Sequence, residues 1–287
     1  MMPEAGVPLA SAVVPAPLAP DALAPLRRFL RVTALVLLIL VMFVPVWIPF
    51  LLRQERLRAK LVQWFYWCVC RILGLHVLVH GTFSRTKPLL VISNHISYLD
   101  IFAIGGLMPV AFTPKIEISR WPVIGYFSRM AGCVFIDRRP RAVDEHRAAL
   151  DAHLATGARM VLFPEGTTGD GADVLPFRSA FFRMVEWEHA RSGNRLTIQP
   201  LAIIYTHLDD QVITAGMRPQ VAWIADADFA PHWFALMGHR RIDLVIDLLP
   251  AFQPEVTEDR KVLAARCEEQ ISASLQKFTA DAPVLPS

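Results

Sequence analysis

Residues 88–107 read PLLVISNHISYLDIFAIGGL: an apolar run, a short polar turn, and a second apolar stretch of helical length. Pro88 to Ser93 is almost continuously apolar, as a strand covered on both faces must be, and Tyr98 to Leu107 is long enough for a helix. A buried strand turning directly into a helix is the first half of a strand-helix-strand unit, and the chain repeats it. Further strands are expected at Cys133–Ile136, Arg159–Phe163, Thr197–Tyr205 and Leu244–Leu248. The helices expected between and after them are Ala142–Ala155, closed by Gly157; Ser179–Arg191, closed by Gly193; and Glu258–Phe278, with Thr257 as its N-cap. This alternation predicts an α/β fold with a mostly parallel central sheet flanked by helices, from about residue 80 to 287.

The composition of the 287-residue chain is too apolar for that domain alone. Hydrophobic residues make up 54% and charged residues 19%, against roughly 45–50% and 25% in ordinary soluble domains. Such a chain is not disordered, and with 14 Gly and 4 Cys it is neither collagen-like nor a disulfide scaffold. A net charge of +3 gives no basis for nucleic-acid binding. Cys68, Cys70, Cys133 and Cys267 have no metal-site spacing and read as reduced, packed thiols.

The surplus lies near the N-terminus. After an Ala/Pro-rich lead (1–26), the run Val32–Leu52 carries no charge, and about 20 residues cross the roughly 30 Å hydrocarbon layer. The run is too long for a secretory core, and no small-residue cleavage site follows it, only Arg53-Gln54-Glu55-Arg56. A buried soluble helix would show a polar outer face. Pro45 and Pro49 predict a kinked or re-entrant second half. Leu61–Val79, rich in Trp and Tyr with scattered charge, reads as either an interfacial or a core-packed amphipathic helix. Residues 27–79 therefore form a membrane-anchoring helical hairpin in this reading. Basic residues flank the apolar run on both sides, which leaves the orientation open, although a hairpin dipping into the cytoplasmic leaflet suits both flanks.

In sheets of this kind ligands bind beyond the carboxyl ends of the strands. There the first strand presents Asn94-His95-Ile96-Ser97-Tyr98-Leu99-Asp100, which puts Asp100 about one turn into the helix, within reach of the His95 imidazole. The pair has the makings of a general base and its orienter; equally, Ser97-x-x-Asp100 fits a helix capping box. Phe163-Pro164-Glu165-Gly166-Thr167-Thr168 follows a second strand, and Lys115, Arg138 and Arg178 are cations that can converge on the same rim.

Four stretches, taken in order, resemble the glycerolipid acyltransferase family. Asn94 to Asp100 is similar to its His-x4-Asp motif, Gly132–Arg138 to its second block, Phe163–Thr167 to its Phe-Pro-Glu-Gly-Thr block, and Ile198–Leu201 to the strand-and-proline block that follows. The N-terminal hairpin is similar as well. Phosphatidate-forming members commonly carry Arg, associated with the acceptor's phosphate, where this chain has Thr168. The string from Phe163 to Gly171, with Leu175–Ser179 behind it and the stretch from Val221 to Trp233, resembles the branch that acylates lyso-ornithine lipid, an aminolipid without phosphate.

The resemblance implies transfer of a fatty acyl group from an acyl thioester, on acyl carrier protein or coenzyme A, to a lysolipid hydroxyl. His95 would act as base and Asp100 as its orienter. Glu165, Gly166 and Thr167 would hold the acceptor, with Lys115, Arg138 and Arg178 meeting anionic groups. A backbone amide near Gly166 or at the helix start after Asn94 would stabilise the oxyanion. It further implies a bacterial inner membrane, with the catalytic domain on the cytoplasmic side. No cofactor is expected beyond the thioester co-substrate, and no metal, since the chain has neither a His-Glu-x-x-His motif nor a clustered Cys/His set. Phosphatidate synthesis is the alternative reaction. Two other readings are a membrane-anchored lipid-binding protein whose His–Asp pair is only a cap, and a hydrolase with Ser93 or Ser97 as nucleophile, which has no Gly-x-Ser-x-Gly elbow.

Overall fold

The computed structural model describes residues 21–121, 124–135, 153–154, 157, 159–185, 196–224, 227–255 and 257–281. Two helices, α1 (Ala24–Leu51) and α2 (Glu55–Leu73), precede the sheet. Next come β1 (Leu75–His80), β2 (Leu89–Ser93), α3 (Leu99–Leu107), β3 (Ala111–Phe112), α4 (Ile124–Met130), β4 (Arg159–Leu162), β5 (Thr197–Leu208), β6 (Gln211–Val212), α5 (Phe229–Leu236), β7 (Ile242–Leu248) and α6 (Arg260–Asp281).

The strand order is β1-β7-β5-β2-β4-β3, with β6 folded back on β5. β2, β3, β4 and β5 run parallel; β1 and β7 are parallel to each other and join β5 antiparallel. β2 lies at the centre with all five residues buried, which accounts for its unbroken apolarity. Alternate residues serve the two faces. Leu89, Val91, Val161, Leu201 and Ile203 pack toward α2 and α3, while Leu90, Ile92, Met160, Leu162 and Ile204 meet Leu263, Cys267, Ile271 and Leu275 of α6. Each of these apolar side chains contributes roughly 1.5–3 kcal/mol on full burial. Burial also pushes the Cys267 thiol up to about 12. All four cysteines are free, with Cys70 and Cys267 buried and the other two half-buried.

Several elements depart from the sequence reading. The expected helix Leu61–Val79 divides at Gly74, which caps α2 in the left-handed conformation (φ 74°) and hands the chain to β1. A Cβ there would fall 2.7 Å from the Arg240 carbonyl oxygen, so this turn requires glycine on two counts. The sheet therefore begins at Leu75, inside the region assigned to the hairpin. Residues 133–135 are not a strand. The neighbouring edge is filled by β3, whose Phe112 carbonyl accepts the Val134 N–H at 3.0 Å. The helix expected from Ser179 opens as a 3-10 turn, Ser179–Phe182, and most of Ala142–Ala155 lies outside the described residues. α6 starts later than expected because Asp259, not Thr257, accepts the first free N–H, that of Lys261, at 2.7 Å.

α1 continues through Pro45 and Pro49 as one 28-residue helix, about 42 Å long, and is the one described helix long and apolar enough to cross a membrane. Its buried side, Met42, Val46 and Pro49, faces the protein, and its other side leaves Leu37, Leu40, Val41, Val44 and Ile48 exposed. The basic flank is occupied elsewhere. Arg31 donates to the Met237 and Arg240 carbonyls (3.1 and 3.2 Å), Arg27 donates to that of Gly238, and Arg28 stacks 5.3 Å over the Phe234 ring. These arginines clamp α1 to the turn after α5.

Candidate active site

β2 ends at Ser93, and the next five residues, Asn94–Tyr98, form the turn into α3 at the carboxyl edge of the sheet. Asn94 anchors the turn. Its amide donates to the Ile203 carbonyl (2.9 Å) and accepts the Ile203 N–H (2.8 Å), extending the β2–β5 ladder through a side chain. The chain then reverses, leaving His95 at the rim and Asp100 in the first turn of α3.

His95 Nδ1 lies 2.8 Å from Asp100 Oδ2. The same oxygen accepts the N–H of Ile96 (2.8 Å) and of Ser97 (3.0 Å), and Oδ1 accepts the Tyr205 hydroxyl (2.7 Å). Asp100 is completely buried, yet all its contacts are donors, which is what an ionised carboxylate needs away from water. The cap and the base-orienter readings of Asp100 are therefore both realised by one carboxylate. With Nδ1–H donating to Asp100, Nε2 carries the lone pair. The imidazole stacks on Phe163 at 4.0 Å and 13°, a contact that fixes its plane, and only 9% of His95 is exposed.

The Glu165 loop is a brace for this turn. Glu165 Oε2 accepts the His95 N–H and Oε1 the Leu175 N–H, both at 3.2 Å, while Gly169 N–H donates to the His95 carbonyl at 2.8 Å. With 3% exposure, Glu165 has its carboxyl pushed up to about 8 by burial, the two backbone donors opposing the shift. Each of its oxygens accepts one backbone N–H. Gly166 takes φ 73°, and a Cβ there would touch the Arg178 guanidinium at 3.0 Å; Arg178 thus lies over this turn. Thr167 is exposed beside it. Lys115 is exposed ahead of a 3-10 turn, Ile116–Arg120, with no bond to the His–Asp pair, and Arg138 lies outside the described residues.

Of the amides near the helix start and the Glu165 loop, those of Ile96 and Ser97 donate to Asp100 and that of Gly166 to the Phe163 carbonyl at 3.2 Å. Neither serine is a nucleophile paired with His95. Both are fully buried, Ser93 Oγ donates to the Asn94 carbonyl at 2.9 Å, and His95 Nδ1 belongs to Asp100. Among the described residues, no group of three or more His, Cys, Asp or Glu is arranged to hold a metal ion.

A strap of residues 221–224 and 227–237 completes the rim. Trp223 N–H donates to the Ile96 carbonyl at 3.0 Å, and the Thr168 hydroxyl donates to the Trp223 carbonyl. The Tyr98 hydroxyl is 2.7 Å from His232 Nδ1, and Tyr98 packs edge-on against Phe229 at 5.1 Å. Burial lowers the His232 pKa and raises that of Tyr98, so Tyr98 is the donor to a neutral imidazole. Phe163 opens the Phe-Pro-Glu-Gly-Thr block and His232 lies in the stretch from Val221 to Trp233, yet neither stretch implies the contact it makes here, and Tyr205 carries no signal beyond a polar aromatic on an otherwise apolar strand.

The sheet-edge turn and its His–Asp pair define a class. Residues 76–204 match the family model described as Acyltransferase, and the chain belongs to that family. Among curated proteins it is 34% identical to the lyso-ornithine lipid O-acyltransferase of Brucella abortus, over 88% of this chain and 94% of that protein. It is 29% identical to the Rhizobium meliloti protein of the same name, over 86% and 84%. The 1-acyl-sn-glycerol-3-phosphate acyltransferase of Neisseria gonorrhoeae matches at 30% over 66% of this chain and 70% of its own length. In fold, the chain resembles the crystal structure of the 1-acyl-sn-glycerophosphate acyltransferase from Thermotoga maritima, with a TM-score of 0.62, 18% identity, and coverage of 90% of this chain and 98% of that one.

Proposed function

We propose that this acyltransferase completes ornithine lipid, transferring a fatty acyl group from an acyl thioester to the free hydroxyl of lyso-ornithine lipid. The observation that carries the acceptor is the similarity to the Brucella protein over 94% of its length, which takes in the strap beyond residue 204. Thr168 supports it. The position supplies a hydroxyl tied to Trp223 and no cation for a phosphate.

The chemistry follows from the His95–Asp100 geometry. A lysolipid hydroxyl is a weak nucleophile at neutral pH, and Nε2 of an imidazole held through Nδ1 removes its proton as the oxygen attacks the thioester carbonyl. The C–O bond forms, the tetrahedral intermediate collapses, the C–S bond breaks, and the carrier leaves as thiolate to take the proton from His95. No acyl-enzyme is needed. Thr167 and Arg178, at the mouth, are the acceptor or carrier contacts in this reading, joined by Lys115 and Arg138 from neighbouring loops. Glu165 holds the His95 backbone and acts on the acceptor only indirectly. The exposed apolar side of α1 supports membrane anchoring, with the catalytic rim at the cytoplasmic surface of a bacterial inner membrane.

The test offers the purified full-length protein labelled acyl thioester, on acyl carrier protein and on coenzyme A in parallel, with lyso-ornithine lipid and lysophosphatidate side by side. Labelled ornithine lipid is the expected product. Exclusive labelling of phosphatidate would overturn the acceptor assignment in favour of the reaction named for the Neisseria relative.

A further inference from the structure

Asp100 has two oxygens, and the reaction above uses one. Oδ2 is held by His95 and two backbone amides, whereas Oδ1 receives a single donor, the Tyr205 hydroxyl, at 2.7 Å. Tyr205 lies on β5, far in sequence from either motif loop. It reaches Asp100 because Leu201, Ile203 and Tyr205 all point from β5 toward α2 and α3. The β5–β7 register shifts immediately afterwards, between Tyr205 and His207. Burial and the adjacent carboxylate hold the phenol well above its ordinary range, which favours the protonated hydroxyl as donor to Asp100.

We propose that Tyr205 is a positioning residue that acts through Asp100, taking up part of the carboxylate's charge so that Asp100 orients His95 as a base without holding a proton on it too tightly. The proposal rests on the reading of His95 as general base. The groups facing the pair are Glu165 from the loop after β4, Tyr98 at the start of α3, Cys70 of α2 and Tyr205 itself. None of these is a cation, and among the described residues the Tyr205 hydroxyl is the one hydrogen-bond donor to Oδ1. Without the hydroxyl, the two amides still pin Oδ2, and the uncompensated charge falls on the imidazole. The protonated form of His95 is then held more tightly, and the base becomes available only at higher pH.

The experiment is the pH profile of kcat/KM for the full chain, wild type against Tyr205→Phe. The acid limb should move up by roughly one pH unit, a tenfold change in proton affinity, with activity recovering at alkaline pH and KM for the acceptor unchanged. Site-specific 3-fluorotyrosine at position 205, a stronger donor that keeps the hydroxyl, should move the limb the other way. In an Asp100→Asn background, Tyr205→Phe should add no further loss to the residual rate. An acid limb unmoved in both variants, an equal loss at all pH values, or additive losses with Asp100→Asn would overturn the proposal. Near-normal turnover by His95→Ala would instead remove the general-base reading beneath it, so the two failures are distinguishable.

Discussion

At the scale of single residues, the site centres on Asp100, a buried carboxylate whose four contacts are all donors. Asp100→Asn removes the carboxylate charge and sets an amide nitrogen either against the three donors at Oδ2 or, turned over, against the Tyr205 hydroxyl, which must then accept instead of donate. The expected loss in kcat is about 10²–10⁴-fold, the range of a general-base contribution, and it is read by release of free carrier thiol. Glu165 makes a prediction of the opposite kind, on stability. Its folded pKa of about 8 lies above the ordinary carboxyl value, so the folded state binds the proton more tightly than the unfolded one. The stabilisation is complete below the ordinary value and declines as pH rises through about 8. Between pH 6 and 9 the wild type should lose of order 1–3 kcal/mol more than Glu165→Gln, measured as the difference in thermal midpoint. Parallel curves for the two proteins would contradict the burial of an ionisable Glu165.

At the scale of elements, β2, its turn and α3 were legible in the sequence. A central strand has no solvent face, and the switch from continuous apolarity to Asn-His-x-Ser can only be a turn. β1 was not, because Leu75–His80 continues the apolar character of α2 and only the left-handed Gly74 separates them. β3 is two residues long, too short to show a period. The His–Asp pair could be read from its spacing, and Phe163 and the strap stand in recognisable stretches, whereas the stacking of Phe163 on His95 and the reach of Tyr205 to Asp100 depend on strand register and packing, which no local pattern records. Glu165 could be read as important, but its role as a backbone brace depends on loop contacts. The packing of α3 on α2 gives a direct test. A Cβ at Gly105 would come within 2.3 Å of the Tyr66 ring, so Gly105→Val should destabilise the protein by about 1–3 kcal/mol in urea unfolding. An unchanged midpoint would show that the two helices are not in such close contact.

For the whole molecule, the apolar surplus of the composition resolves into two parts: a sheet covered on both faces, and one side of α1 that none of the described residues covers. Because Arg27 and Arg31 clamp α1 to the turn after α5, whatever orients α1 also orients the strap and the rim bearing His95. Replacing Leu37, Leu40, Val41 and Val44 together with Ser alters the uncovered side only. Activity on an acceptor embedded in bilayers should then fall at least tenfold, while activity on a water-soluble short-chain acceptor stays within about twofold, since each removed side chain forfeits roughly 1.5–3 kcal/mol of apolar transfer. Equal losses on the two acceptors would mean that the exposed side of α1 serves folding and not the approach to the lipid.

The central claim is that His95, held by Asp100, is the base that activates a lysolipid hydroxyl. It is tested most directly by His95→Ala in the full-length protein, following transfer of labelled acyl groups from thioester to lyso-ornithine lipid alongside recovery of the protein in the membrane fraction. The account predicts membrane recovery equal to that of the wild type and turnover reduced at least a thousandfold, of the order expected for removal of a general base; labelled product at a rate near that of the wild type would contradict it.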